Sequence, residues 1–221
     1  MKERYWWVFK RRGIVMAPLV VFLALCTFWE CENHWIVYLG GGLVFLSGFL
    51  LRVWAQLHLH YRLHCHKVLT LTGPYQYVRN PIYIANTLIL LSLCIASELL
   101  WFLPIMLLWC MGVYHFVVRY EEAHLAGKYG EPYLDFLRRV PRWMPRFRKA
   151  VRIPASGMRA YLRPSIWAEL HCFLLFVPFV FKDNVGGLDP APTLDVDFVC
   201  PVHHDLAHRR VSEQGRDGAV T

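Results

Sequence analysis

Residues 81–118, PIYIANTLILLSLCIASELLWFLPIMLLWCMGVYHFVV, contain a single charged side chain, Glu98. The pair Ser97-Glu98 divides this stretch into two apolar runs, at 81–96 and 99–118. A helix satisfies its backbone hydrogen bonds internally, so apolar runs of this length are typical of helices that cross a lipid bilayer. The stretch therefore predicts two membrane helices joined as a tight hairpin.

Three further apolar runs extend this prediction along the chain, at 14–29, 35–57 and 166–181. The last of them is short and contains Pro178, so it either crosses the membrane or lies in its interface. The sequence thus predicts an all-α integral membrane bundle of four to five transmembrane helices. Residues 1–182 form the predicted membrane domain, and 183–221 form an acidic tail predicted to be disordered.

The composition excludes an ordinary soluble domain. Of 221 residues, 56% are hydrophobic and 18% are charged, whereas a soluble fold of this size needs more polar surface. Small residues also favour close helix packing in the second run, which contains Gly40, Gly41, Gly42 and Gly48. We therefore expect the lipid bilayer to be a partner of the chain.

The net charge of +8 follows a topological pattern. Lys and Arg are concentrated before residue 13, between residues 58 and 80, and between residues 119 and 163, while the intervening turns carry only acidic charge. By the positive-inside rule the N-terminus and both basic segments are cytoplasmic, which predicts a multi-pass protein of a bacterial inner membrane. Because the charge is explained by topology, nucleic acid is not a predicted partner.

The histidines and cysteines do not predict a metal site. The seven Cys include no C-x-x-C pair. His58, His60, His64 and His66 lie close together, and His60 and His64 have helical i,i+4 spacing, but no acidic ligand accompanies them. An interfacial, partly solvated histidine cluster is the favoured interpretation, and no metal is predicted.

The first polar segment that offers functional side chains is Gly73-Pro74-Tyr75-Gln76-Tyr77-Val78-Arg79-Asn80-Pro81-Ile82-Tyr83. Asn80 is predicted to cap the following helix through its side chain, and Pro81 suits the first helical position. The positive end of that helix, next to Arg79, would favour an anionic group such as a carboxylate. Ordinary membrane architecture, a capped helix with a snorkelling Arg, explains the same residues.

The second polar segment begins at Arg119 and carries the adjacent carboxylates Glu121 and Glu122. Arg119 precedes Glu122 by three positions, so the two can share a helix face, either in a functional site or as an interfacial ion pair. Apolar residues then recur at roughly helical spacing and predict an amphipathic, cytoplasmic helical cap: Leu125, Tyr129, Tyr133, Phe136, Leu137 and Val140.

The two polar segments are followed along the chain by Val140-Pro141-Arg142. This succession of motifs resembles that of the isoprenylcysteine carboxyl methyltransferase family and of related bacterial membrane and phospholipid methyltransferases. The resemblance covers about residues 35–147. It implies an enzyme that binds S-adenosyl-L-methionine between membrane helices and a cytoplasmic cap. Two positions depart from the family pattern, since Asn80 and Lys67 stand where His is usual.

The resemblance also implies the site residues. Arg119 and Glu122 would be catalytic, at the meeting point of acceptor and methyl donor, with Glu121 beside them on the cofactor side. The cofactor would be lined by the remaining matched positions, Val68, Leu69, Thr70, Tyr75, Asn80, Pro81 and Tyr83.

The methyl acceptor implied is a lipophilic small molecule or lipid-modified substrate that offers a carboxylate, amine or thiol. Two other classes of function stay open on the sequence alone. One is a non-catalytic membrane scaffold or small transporter. The other is an NADPH-dependent membrane reductase of related architecture, and binding of S-adenosyl-L-methionine rather than NADPH distinguishes the classes.

Overall fold

The structure is a computed structural model that describes residues 6–7, 9–26, 34–60, 69–146 and 155–179. This part of the chain is helical and contains no strand, which confirms the all-α prediction. Short 3-10 turns lie at Gly73–Gln76 and Leu100–Phe102. The α-helices are α1 (Arg12–Leu25), α2 (His34–His60), α3 (Pro81–Ala96), α4 (Leu103–Tyr129), α5 (Glu131–Arg139), α6 (Ala155–Glu169) and α7 (His171–Leu174).

Two helical stretches of the described chain are long and apolar enough to cross a membrane, Leu39–His60 and Leu100–Tyr129, with mean hydropathy 1.4 and 1.8. The apolar helices α1 and α3 contain 14 and 16 residues. At 1.5 Å per residue they extend only about 21 and 24 Å, less than the roughly 30 Å of a bilayer core. The total of four to five membrane helices therefore stays a prediction.

Helices α2 and α3 approach each other closely at two glycines, as the sequence predicted. A Cβ on Gly48 would lie 3.0 Å from the Ala85 carbonyl oxygen, and one on Gly41 would lie 3.3 Å from a methyl carbon of Ile95. Gly40 and Gly42 have nothing within 4 Å of a built Cβ. Two of the four glycines thus serve the helix contact, and the other two do not.

The turn between α3 and α4 begins at the predicted residues, Ser97 and Glu98, and continues through the Leu100–Phe102 3-10 turn. Glu98 has a φ of +63°. The facing sides of the hairpin pack fully buried side chains together, among them Leu93, Cys94 and Met106. On the opposite side of α4, Leu108 is 69% exposed. An outward apolar surface of this kind suits contact with lipid.

The fifth apolar segment is not one continuous helix. Helix α6 ends at Glu169, and the chain turns at Leu170 before the four-residue α7. The segment packs against α2, where the ring of Phe45 lies 4.9 Å from that of Phe173 and 4.7 Å from that of Phe176, centroid to centroid. The predicted disordered tail lies outside the described residues.

Candidate active site

Two segments distant in sequence meet where α3 begins. The backbone N–H of Arg79 donates to the Pro141 carbonyl at 2.9 Å, and that of Arg146 donates to the Tyr77 carbonyl at 2.9 Å. The Arg79 side chain adds a bond from Nε to the Val140 carbonyl at 2.5 Å. The polypeptide before α3 is thereby fixed to the polypeptide after α5.

A buried carboxylate strengthens this junction. Glu122, 8% exposed, accepts from Arg79 Nη1 at 3.0 Å through Oε1. Arg142 binds the same carboxylate with two nitrogens, Nε to Oε1 at 3.1 Å and Nη2 to Oε2 at 2.5 Å. Paired, charge-assisted bonds of this geometry are among the stronger interactions available to side chains. Glu122 thus joins α4 to both segments of the junction.

A cavity of about 230 Å³ lies beside the junction, between the start of α3, the end of α4 and α5. Seven of the eight predicted cofactor residues line it: Leu69, Thr70, Tyr75, Asn80, Pro81, Tyr83 and Glu121. Val68, the eighth, lies outside the described residues. The remaining wall of the cavity is formed by Leu59, Arg79, Ile82, Leu125, Tyr129, Tyr133 and Phe136.

The wall of this cavity contains polar atoms that no described residue satisfies. Thr70 Oγ1 and Asn80 Nδ2 are buried, and neither has a hydrogen-bond partner in the described part of the chain. The predicted side-chain cap by Asn80 is wrong: α3 begins there without a side-chain cap bond, and the Asn80 carbonyl accepts from the Tyr83 and Ile84 N–H groups. Because buried polar atoms without partners are costly, this pair indicates a polar ligand.

Glu121 supplies the negative charge of the cavity. The Tyr83 hydroxyl donates to its Oε2 at 2.8 Å. Burial raises the pKa of Tyr75 above its usual range, and the Glu121 carboxylate raises it further. Tyr133 has a pKa raised mainly by burial, with contributions from Glu122 and Glu121. The Glu121 carboxylate and the phenol groups suit a cationic ligand, and the Arg79 guanidinium that also lines the cavity is paired with Glu122.

The two predicted catalytic residues lie elsewhere. Glu122 is held behind the cavity wall by Arg79 and Arg142 and is not part of the lining. Arg119 is exposed and does not line the cavity. The ion pairs formed by Glu122 use Arg79 and Arg142, so the i,i+3 contact expected from the sequence is replaced by contacts across the fold.

His58, in the histidine cluster, has a clear structural role. It is 7% exposed, so its predicted solvation is wrong. Its Nδ1 lies 3.1 Å from Thr72 Oγ1, and its ring packs on Gly73, where an added Cβ would lie only 2.3 Å from Cδ2. Gly73 also has a φ of +63°. His58 thus positions the turn that leads to Tyr75, whereas His64 and His66 lie outside the described residues.

A second cavity, of about 410 Å³, lies between α1, α2, α3, α4 and α7. Its lining is largely apolar, with Met16, Val20 and Leu90 among its residues. Polar side chains also line it: Arg12, Arg52, Asn86, Tyr114 and His171. The ring of Tyr114 lies 5.1 Å from that of Tyr83, centroid to centroid, and Tyr83 lines the first cavity. A pair of tyrosine rings therefore stands between the two cavities.

This geometry agrees with what similarity to known proteins shows. Residues 34–132 match the family described as phospholipid methyltransferase. The match covers less than half of the chain. The match includes α2, α3, α4 and all the cavity residues up to Tyr129, and it supports a membrane methyltransferase.

The chain is also similar to the cobalt-zinc-cadmium resistance protein CzcN of Cupriavidus metallidurans. The two are 27% identical over 121 residues, which are 52% of this chain and 55% of that protein. The chain thus spans about half the length of this curated relative. No solved structure matches the chain significantly.

Proposed function

We propose that the protein is an S-adenosyl-L-methionine-dependent methyltransferase that acts on a lipophilic acceptor at the cytoplasmic face of a bacterial inner membrane. The observation that carries this proposal is the convergence of Thr70, Asn80, Tyr83 and Glu121, from three separate elements, on one cavity. The match of residues 34–132 to the phospholipid methyltransferase family supports the reaction class.

The residues of the first cavity fit the proposed cofactor. When bound, S-adenosyl-L-methionine supplies a methyl group on a positively charged sulfur. The Glu121 carboxylate and the phenol rings of Tyr75 and Tyr83 favour such a charge. Thr70 Oγ1 and Asn80 Nδ2 provide the hydrogen-bonding groups that a polar amino-acid or ribose moiety would satisfy.

Positioning is the main contribution that we assign to the protein. Methyl transfer from a sulfonium is an in-line displacement, and orientation of the reacting groups can contribute roughly 7–11 kcal/mol. Glu122, held by Arg79 and Arg142, keeps the start of α3 fixed relative to α4. In this proposal Glu122 is a positioning residue, and Glu121 is the carboxylate that faces the ligand.

The second cavity is the proposed site of the acceptor. Its apolar lining suits the hydrocarbon part of a lipophilic carboxylate, amine or thiol. The ring of Tyr114 in the second cavity lies 5.1 Å from that of Tyr83 in the first, centroid to centroid, so we place the reactive end of the acceptor beside them. The basic residues Arg79 and Arg142 at this end of the bundle favour a cytoplasmic location.

Calorimetric titration of S-adenosyl-L-methionine into the detergent-purified full chain tests the cofactor assignment. Glu121→Gln is expected to weaken binding at least about tenfold, as loss of a charged partner costs about 1.5–3 kcal/mol. Glu131→Gln is the control, because this carboxylate is 77% exposed at the start of α5. Wild-type protein that is folded but binds NADPH instead would overturn the proposal in favour of a reductase, and binding of neither would favour a scaffold.

The acceptor site is tested by filling the second cavity. Ala17→Phe is expected to raise the KM of a lipophilic acceptor severalfold while leaving the Kd of S-adenosyl-L-methionine unchanged, because Ala17 lines only that cavity. Leu108→Phe, on the exposed side of α4, is the control. Equal effects of the two substitutions on KM would place the acceptor elsewhere.

A further inference from the structure

Three potential metal ligands lie together at the edge of the second cavity, on the turn from α6 to α7. They are Glu169, His171 and Cys172, and one ligand atom from each lies within 4.8 Å of the others. His171 and Cys172 line the cavity. These two residues therefore border the proposed acceptor site, whereas none of the three lines the proposed cofactor cavity.

Two of the three pairwise distances are close to those of a metal centre. Cys172 Sγ lies 3.8 Å from Glu169 Oε2 and 3.9 Å from His171 Nε2. In a tetrahedral zinc site with bonds of about 2.3 Å to sulfur and about 2.0–2.1 Å to nitrogen or oxygen, these separations are about 3.6 Å. Shifts of a few tenths of an ångström at Cys172 bring these two pairs to that geometry.

The histidine is oriented as a metal ligand. Its Nδ1 lies 2.7 Å from the Ala168 carbonyl oxygen, an acceptor, so Nδ1 carries the proton and donates it. The other ring nitrogen, Nε2, lies 3.9 Å from Cys172 Sγ. Metal-binding histidines characteristically donate their other ring nitrogen to a carbonyl or carboxylate in this way.

The carboxylate is oriented as well. Arg52 forms an ion pair with Glu169 Oε2 and donates to the Asn86 side-chain oxygen. The ion pair accounts for the burial of Glu169, which is 1% exposed, but it does not account for the approach of the His171 nitrogen and the Cys172 sulfur. A divalent ion would balance the charges of the carboxylate and a thiolate, and the adjacent Arg52 would leave one positive charge at the site.

We propose that Glu169, His171 and Cys172 bind one divalent transition-metal ion of the zinc class, with the fourth position open to the second cavity. Binding forms metal–oxygen, metal–nitrogen and metal–sulfur bonds in place of water ligands, and the Cys172 thiol proton passes to the solvent. The mixed oxygen, nitrogen and sulfur donors favour Zn²⁺, Co²⁺ or Cd²⁺ over Mg²⁺ or Ca²⁺.

The test is a Co²⁺ titration of the reduced, detergent-purified full chain, followed by near-ultraviolet thiolate-to-cobalt absorption. We expect one equivalent to produce the band, and Cys172→Ser to abolish it. Cys65→Ser is the matched control, because Cys65 lies in the other His-rich stretch of the sequence. A wild-type protein without the band, or a band that survives Cys172→Ser, overturns the proposal.

His171→Ala provides an independent readout, because His171 is exposed and its removal leaves the core intact. The variant is expected to bind Co²⁺ more than about tenfold more weakly. Zn²⁺ should raise the Tm of the wild type, since a ligand specific to the folded state stabilises it, and should raise that of His171→Ala less. An equal rise in both proteins excludes His171 as a ligand and contradicts the proposed site.

Discussion

Arg142 binds Glu122 through two nitrogens, with Nε 3.1 Å from Oε1 and Nη2 2.5 Å from Oε2. Only twenty residues separate the pair in sequence, yet the contact closes the segment after α5 onto α4. Arg79 reaches the same carboxylate from the start of α3. One buried carboxylate therefore holds together the three segments that surround the first cavity.

Arg142→Lys should lower the free energy of unfolding by about 1.5 kcal/mol, because an ammonium cannot form two parallel bonds to one carboxylate. The matched control is Arg139→Lys, whose pair with Asp135 is exposed on α5 and contributes about 0–1 kcal/mol. Thermal unfolding in detergent measures both. Equal losses of stability would contradict the structural role of Arg142.

Tyr83→Phe should weaken binding of S-adenosyl-L-methionine, because the Glu121 carboxylate loses the hydroxyl that orients it. A charge-assisted bond contributes about 1.5–3 kcal/mol. Its loss should therefore raise the Kd at most roughly tenfold to a hundredfold. Tyr120→Phe is the control, since Tyr120 lies on the same helix as Glu121 but outside the cavity lining. Unchanged affinity in Tyr83→Phe would show that this bond does not position the carboxylate.

Gly73→Ala should destabilise the protein by more than about 1 kcal/mol, because a Cβ there meets the His58 ring and the backbone has positive φ. Gly127→Ala should do the opposite. Gly127 lies inside α4 with nothing within 4 Å of a built Cβ, so alanine gains about 0.5–1 kcal/mol in helix stability. If both substitutions changed the free energy of unfolding in the same direction, the packing of His58 on Gly73 would be contradicted.

Alkaline pH should destabilise the protein through Tyr75 and Tyr133. Burial raises the pKa of both phenols in the folded state, so the folded protein retains protons that the unfolded chain releases above about pH 10. The stabilisation is complete below that pH and declines as the pH rises further. Thermal unfolding between about pH 8 and 11 should show this decline, and the double variant Tyr75→Phe/Tyr133→Phe should show a shallower one.

The sequence was sufficient for features that depend on local pattern. Apolar runs located α2, α3 and α4. The shared site of Leu69, Thr70, Tyr75, Asn80, Pro81 and Tyr83 was instead implied by the family resemblance. The partners of Glu122 were not predictable in the same way, because Arg119 lies at helical spacing in the sequence whereas Arg142 reaches Glu122 only through the turn at Gly130. Arg142 was part of the quoted Val-Pro-Arg motif, but nothing in that motif indicates which carboxylate it binds.

The same limitation applies to Asn80 and to the metal ligands. An Asn before Pro is typical of a capping residue, and only the folded structure reveals that the Asn80 amide nitrogen is left without a partner among the described residues. Glu169, His171 and Cys172 follow no common ligand spacing in sequence. They meet because α6 ends at Glu169 and the chain turns before α7.

Helix α4 runs without interruption from Leu103 to Tyr129, so the apolar half that packs against α3 and the half that presents Glu121 share one helical phase. Each residue added to an α-helix rotates everything beyond it by about 100° and shifts it by about 1.5 Å. A one-residue insertion near Val118 would turn Glu121 away from Tyr83 and move Glu122 off its two arginines, while every side chain stayed chemically intact. Conversely, an insertion of a full seven residues would restore the direction but displace both carboxylates by about 10 Å along the axis. The length of α4 between its two halves is therefore as restrictive as the identity of the residues on it.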